Sequence, residues 1–127
     1  MLNPKGNEEA NQESIDSSTI LRNLPFEEGF HFCTTKGIYL GVTATSLSDF
    51  ASKLRDIEND SIVFHYYRGD FQRWINDALD DKGFADRLCF VPRGLRPEEL
   101  RRELIILVEK RLNELERFNW AKQERAK

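Results

Sequence analysis

The stretch of residues 60–81 constrains this chain most, because no other window is as rich in large apolar side chains. It reads DSIVFHYYRGDFQRWINDALDD and holds five of the fourteen aromatic residues. After Gly69, apolar residues recur at i, i+3, i+4, i+7 and i+8, the spacing of one helix face. They are Phe71, Trp74, Ile75, Ala78 and Leu79. We predict a central helix here, with Asp70 as its N-cap and Trp74 as a buried anchor.

The eight residues before Gly69, residues 61–68, carry two opposing signals. Their Ile, Val, Phe and Tyr side chains favour a strand. Asn59 or Asp60 is a fair N-cap, however, and the segment is short and ends at a glycine, which favours a helix. We predict a short helix, with a third strand as the alternative.

A β-hairpin is predicted upstream of this region. Phe30 and Phe32 alternate with His31, and Lys36-Gly37 is a turn signal before the apolar arm of residues 38–44. A glycine within that arm, Gly41, indicates a bulge or a close backbone approach. Since a two-stranded hairpin is only marginally stable by itself, it must pack on helices or on further strands.

Two amphipathic helices flank the central region. Ser46 and Asp49 match a capping box, and the helix after them is predicted to end near Ile57. Pro97, followed by two glutamates, suits the first turn of a final helix, predicted to run to about Arg117. Short helical segments are predicted between these two.

Length and composition indicate one domain. With 127 residues, a net charge of −3 and 39% apolar residues, the chain resembles a soluble globular protein. We predict an α+β fold: a small β-hairpin or short antiparallel sheet packed on four or five helices, with a long C-terminal helix. Residues 1–26 are expected to form a disordered acidic tail, residues 27–118 the domain, and residues 119–127 a frayed end.

The charge and hydropathy of the chain limit the kinds of partner and the cellular compartment that we expect. The acidic balance makes nucleic acid an unfavourable partner, because phosphate binding needs clustered Lys and Arg. The longest uninterrupted apolar run, residues 104–108, is too short to span a membrane. With two cysteines and no apolar signal segment, we expect a cytoplasmic protein.

The central segment, SIVFHYYRGDFQRWINDALDDKGFADRL at residues 61–88, resembles an uncharacterised family of small prokaryotic domains of unknown function. That family is marked by a Phe-His…Arg-Gly-Asp-Phe…Trp-Ile…Asp pattern, and the resemblance covers about residues 29–117. This chain departs from the pattern at residues 82–84. The motif core here comprises His65, Arg68, Asp70, Phe71 and Trp74. The resemblance implies a bacterial or archaeal cytoplasmic protein and supplies no catalytic residues.

Two sets of side chains have the residue types of a chemical site but lack the rest of its pattern. The chain's histidines and cysteines, His31, Cys33, His65 and Cys89, are zinc-ligand types, but only His31 and Cys33 are close in sequence, so no metal or cofactor is predicted. His65, Arg68 and Asp70 could form an acid–base cluster, yet no nucleophile or phosphate loop accompanies them. We therefore predict that the protein is not an enzyme.

The predicted function is a non-enzymatic protein-interaction or regulatory module, acting on a protein partner or on a second copy as a homodimer. The apolar arc of the final helix is wider than one packing face requires. Its predicted interaction residues are Ile105, Ile106, Leu112, Leu115 and Phe118. The hairpin or residues 20–26 could instead cover that arc, and Arg111 within it needs an acid or water. The alternative function is a small-ligand or nucleotide-binding sensor using the aromatic residues and His65.

Overall fold

The computed structural model describes the backbone of residues 17–126 and the side chains of residues 17–120. In these residues a two-stranded antiparallel sheet packs on helices. The order is α1 (Ser17–Ile20), a one-turn 3-10 helix (Phe26–Glu28), β1 (Phe30–Cys33), β2 (Tyr39–Ala44), α2 (Leu47–Asp56), α3 (Asn59–Arg68), α4 (Asp70–Asp77), α5 (Lys82–Leu88) and α6 (Pro97–Ala126). The predicted α+β class, with a hairpin and a long C-terminal helix, is confirmed.

The hairpin forms as predicted, and the alternation of residues along β1 gives it one buried and one more exposed face. Phe30 and Phe32 are buried, whereas the residues between and after them are partly exposed. The pairing shifts from Phe32↔Val42 to Cys33↔Tyr39, which leaves two extra residues in β2. One of them is Gly41, whose φ of +79° glycine adopts far more readily than other residues. The bulge predicted at this glycine is therefore present.

The helices α2 and α3 follow from local signals. The Ser46 hydroxyl accepts the Asp49 N–H at 3.0 Å, as the predicted cap requires, while the Asp49 carboxylate accepts the Thr45 N–H. Residues 59–68 are a helix, so the strand alternative is wrong. Gly69 ends that helix in the left-handed region, at φ +78°, and its N–H bonds carbonyls of the last turn.

An aromatic cluster forms the centre of the core. The ring of Phe30 lies 5.0 Å from the ring of Phe71 and 5.7 Å from that of Trp74, between centroids. Phe50 contributes from α2, 5.3 Å from Trp74. Trp74 is 8% exposed, and its Nε1–H donates to the Glu28 carbonyl at 2.9 Å. The predicted buried anchor is confirmed.

The N-terminal boundary of the domain differs from the prediction. Ile20 and Leu24 are buried in the core, and the Leu24 N–H donates to the Thr45 carbonyl at 2.7 Å. Residues 17–26 are therefore part of the domain and not a tail, because their apolar side chains find a surface on α6 and at the end of the hairpin. The rest of the predicted tail, residues 1–16, lies outside the described residues.

The final helix is longer than predicted. It continues to Ala126 instead of ending near Arg117, since residues 118–126 contain neither Gly nor Pro and include good helix formers. Within residues 17–126, no helix combines the length and apolar composition needed to cross a membrane.

Arg111 of α6 obtains the acidic partner that its place in the apolar arc required. Its Nε donates to Asp81 Oδ2 at 2.8 Å, and its Nη1 donates to Glu114 at 2.9 Å. Asp81 is itself buried and accepts the Phe84 N–H, which caps α5. This ion pair therefore joins α6 to the start of α5.

Trp74→Ala should cost about 3–5 kcal/mol of unfolding free energy, because it removes a buried indole and leaves a cavity among the core rings. Trp74→Phe keeps an aromatic ring and loses the bond to Glu28, so a smaller loss of about 1–2 kcal/mol is expected. Urea unfolding measures both. A loss below ~1 kcal/mol for the alanine variant would contradict the anchoring role.

Candidate functional site

His65 occupies the inner side of α3, where both of its ring nitrogens are bonded. It is 4% exposed. Nδ1 lies 2.8 Å from Asp70 Oδ2, and the Cys33 N–H donates to Nε2 at 2.9 Å. Because an amide N–H only donates, Nε2 must carry a lone pair, and the proton of the neutral ring is on Nδ1. His65 thereby joins the end of β1 to the corner between α3 and α4.

The surroundings of His65 favour its neutral form. Burial, the largest influence, lowers its pKa below the ordinary value of 6.5, and the charge of Arg68 acts in the same direction. The hydrogen bond and negative charge of Asp70 oppose this without reversing it. The neutral state agrees with the geometry, since a second ring proton would point at the Cys33 N–H.

An Asp–His pair is a common general-base arrangement, in which the carboxylate orients one nitrogen and the other takes the substrate proton. Here that second nitrogen is occupied by the Cys33 N–H. The pair therefore presents no free base in this arrangement, and its chemistry is that of a structural brace.

The predicted capping role of Asp70 is wrong. Gly69 is the N-cap of α4, and no side-chain cap bond is made there. The Asp70 carboxylate instead accepts from His65, lies 3.3 Å from Arg68 Nε and pairs with Arg73. The buried N–H of the His65 ring takes this acceptor, because a buried donor without a partner is costly.

The structure brings most of the predicted motif core together around one ring. Centroids of His65, Phe71 and Trp74 lie 4.8, 5.0 and 5.7 Å from that of Phe30. Arg68 differs, because its side chain is mostly exposed at the outer end of α3. The motif therefore specifies packing and one buried hydrogen-bonded pair.

The four zinc-type side chains are not gathered into a site. His31 Nδ1 is 2.8 Å from the Thr43 hydroxyl, and His65 meets Cys33 through the main chain. Cys89 lies near the Ala85 carbonyl at 3.7 Å. In the described part of the chain, no three His, Cys, Asp or Glu residues are arranged to hold a metal ion.

The predicted interaction residues of α6 do not form one surface. Leu115 is 2% exposed and belongs to the core, which corrects its assignment as a contact residue. Ile105 and Leu112 pack against the core, and α1 covers part of the same helix. Ile106 and Phe118 are 50% and 53% exposed, but they lie about 120° apart around the helix.

The open edge of β2 is a feature that sequence reasoning missed. The Cys33 N–H points away from β2 towards His65, so the main-chain groups of His31, two residues earlier, point the same way. Thr43 lies opposite His31 and must direct its own N–H and C=O to the outer edge of β2. Neither group has a hydrogen bond within residues 17–126, whereas the neighbouring Thr45 carbonyl accepts from Leu24.

A groove of about 390 Å³ runs beside this edge. Its apolar lining comes from Leu40 and Val42 of β2 and from Ile57 after α2, and no residue of β1 lines it. The groove therefore lies between β2 and the end of α2, on the side of the hairpin that β2 forms. The apolar residues in the second hairpin arm were a usable signal, but the sequence did not indicate which of them would remain partly uncovered.

The charged residues at the rim of the groove carry a net negative charge. Lys53, Asp56 and Glu58 surround it. Lys53 is already paired with Asp49 at 2.8 Å, whereas Asp56 and Glu58 make no ion pair among the described residues. The groove thus offers an apolar floor beside two unpaired carboxylates.

These elements define a small α+β domain, a two-stranded hairpin held on a helical core by a buried His–Asp pair. The chain belongs to a family of unknown function, DUF5752, whose family model matches residues 25–126. The predicted resemblance to a family of unknown function is confirmed at this level, over a longer stretch than expected. No curated protein and no solved structure matches the sequence.

The carboxylate role of Asp70 is tested by three substitutions. Asp70→Ala should lose about 1–3 kcal/mol of unfolding free energy, because the buried His65 N–H is left without an acceptor. Asp70→Asn should lose less, since its side-chain oxygen can still accept that proton. Asp70→Ser, a good helix cap but too short to reach His65, should behave like alanine. Stability retained by the serine variant in urea unfolding would restore the capping role.

The pH dependence of stability follows from the lowered pKa of His65. The unfolded chain binds a proton near pH 6.5 and the folded chain only at lower pH, so the unfolding free energy should fall as pH drops below about 6.5. His65→Gln does not titrate and should give a flatter profile between about pH 7 and pH 5. The matched control is His31→Gln, which keeps His65 and should retain the slope that His65 causes. Identical profiles for wild type and His65→Gln in urea unfolding would contradict this account.

Proposed function

We propose that this protein is a non-enzymatic protein-interaction module that binds an extended segment of a partner protein at the open edge of β2. The observation that carries the proposal is the position of Thr43. Its main-chain N–H and C=O lack partners within the described residues, beside an apolar groove that no other described element fills.

An open strand edge is a template for a further strand, and main-chain hydrogen bonds supply much of the affinity. Successive side chains of an added strand alternate between its two faces. Every second side chain would therefore enter the groove against Leu40 and Val42. Because the bulge at Gly41 distorts the first half of β2, pairing is concentrated at residues 42–44.

The rim of the groove adds a charge preference. Asp56 and Glu58 are exposed and unpaired within residues 17–120, so a Lys or Arg next to the inserted apolar residue would meet opposite charge. The partner segment is thus extended, free of proline at the pairing positions, alternately apolar and flanked by a basic residue.

Selection from displayed random peptides tests this chemistry. The enriched peptides should alternate apolar residues and carry a Lys or Arg, and they should bind in fluorescence polarisation. Thr43→Pro removes the edge N–H at a position where an edge strand tolerates proline, and should weaken binding by about tenfold or more. The matched control is Thr43→Val, which loses the same hydroxyl but keeps the N–H and should bind like wild type.

The outcomes of this experiment distinguish binding at the β2 edge from binding elsewhere. No enrichment, or enriched peptides that bind Thr43→Pro as tightly as wild type, would overturn the proposal. Self-association of the wild type that Thr43→Pro abolishes would assign the edge to a second copy of the chain, and so overturn the heterologous partner. Leu40→Ser, a change in the groove alone, provides an independent test if the proline variant does not fold.

A further inference from the structure

A second concave site lies away from the hairpin, where the end of α3 meets α4 and the loop after α5. It is a cleft of about 210 Å³, lined in part by Tyr67, Arg68, Gln72 and Arg93. It shares no lining residue with the groove beside β2. Its volume is below the ~300–1,000 Å³ of typical drug-sized pockets, so it suits a small molecule.

The charge of the cleft is positive. Both of its charged lining residues are arginines, and no acid lines it. The guanidinium carbon of Arg93 is 5.0 Å from the centroid of the Tyr67 ring, and that of Arg68 is 4.7 Å from the Phe64 ring. Arg68 Nε lies 3.3 Å from Asp70 Oδ2, a carboxylate that other donors also contact. Arg93, by contrast, has no acidic partner among the described residues.

These stacked arginines suit an oxyanion. A guanidinium offers several N–H donors in one plane and can bind phosphate with two parallel hydrogen bonds. Stacking on an aromatic ring already restricts the guanidinium, so it loses less conformational freedom when a ligand binds. Arg93 supplies an unpaired positive charge and Arg68 adds further N–H donors, which together suit an anion such as a phosphate monoester, whose charge is close to −2 near neutral pH.

Gln72 adds a requirement for a hydrogen-bond donor. It lines the cleft, and its Oε1 is buried without a partner in the described part of the chain. Such an oxygen is costly unless a donor reaches it. A hydroxyl or amine on a ligand within the cleft would supply that donor.

We infer that this cleft binds a small phosphorylated metabolite that carries a hydroxyl or amine group, with the phosphate on Arg68 and Arg93 and the donor group on Gln72. This site is independent of the strand-binding edge. It would make the domain responsive to a metabolite as well as to a protein segment.

Isothermal titration calorimetry with four probes tests the inference. Glycerol 3-phosphate should bind saturably in the millimolar range or tighter, and about tenfold more tightly than inorganic phosphate, because only it reaches Gln72 with a hydroxyl. Sulfate should bind no better than phosphate. Glycerol, which lacks the anion, should not bind.

Three variants assign the contacts. Arg93→Gln should weaken glycerol 3-phosphate by about tenfold or more, whereas Gln72→Leu should reduce it only to the level of phosphate. The matched control is Arg96→Gln, an exposed arginine of the same loop that does not line the cleft, and it should leave binding unchanged. Thermal unfolding of each variant checks folding, and Arg68→Gln replaces Arg93→Gln if that variant is unfolded.

The inference is overturned if no phosphate probe saturates, if sulfate binds as tightly as glycerol 3-phosphate, or if Arg93→Gln binds like wild type. A preference for glycerol 3-phosphate that survives in Gln72→Leu overturns the assignment of the donor contact. These outcomes are read without any peptide, so they are separate from the test of the β2 edge.

Discussion

The hydrogen bonds of His65 connect the two halves of the structure. One ring nitrogen accepts the Cys33 N–H of β1, and the other bonds Asp70 at the start of α4. The hairpin is only two strands wide and cannot be stable without a helical support. His65 also gives the outward N–H of Cys33 its partner. The corresponding groups of Thr43 on β2 have no such partner among the described residues, and this asymmetry locates the proposed binding edge.

Much of the fold could be predicted because its signals are local. The spacing of apolar residues in α2 and α4, the cap at Ser46 and the glycine that ends α3 each depend on a few neighbouring residues. The hairpin and its bulge at Gly41 also follow from alternation and one glycine. The prediction for Asp70 failed because it depends on which neighbouring side chains are buried, and the residue pattern does not show this. Asp70 has the residue type of a cap, but the buried imidazole next to it, which is known only from the tertiary structure, changes its role.

The candidate surfaces were harder to predict for the same reason. A helical wheel identified the apolar residues of α6, but it could not tell that α1 would pack on the helix or that Leu115 would lie in the core. The open edge of β2 depends on which strand His65 contacts, and the basic cleft on where the loop after α5 brings Arg93. Neither arrangement leaves a period or a motif in the sequence, because each is made by elements that are not adjacent in the chain.

Two of the polar contacts between elements, those of His65 and of Arg111, have a property that the apolar contacts lack. Aromatic and aliphatic side chains can repack with small shifts, and such cores tolerate changes that conserve volume. A hydrogen bond from Cys33 to His65, or an ion pair from Arg111 to Asp81, is satisfied in only one placement, and a lost buried partner is costly. The first bond sets the hairpin against α3 and α4, and the second sets α6 against the start of α5. The core rings therefore supply most of the favourable burial, while these polar pairs select one arrangement of the elements. In that arrangement the edge of β2 is left open.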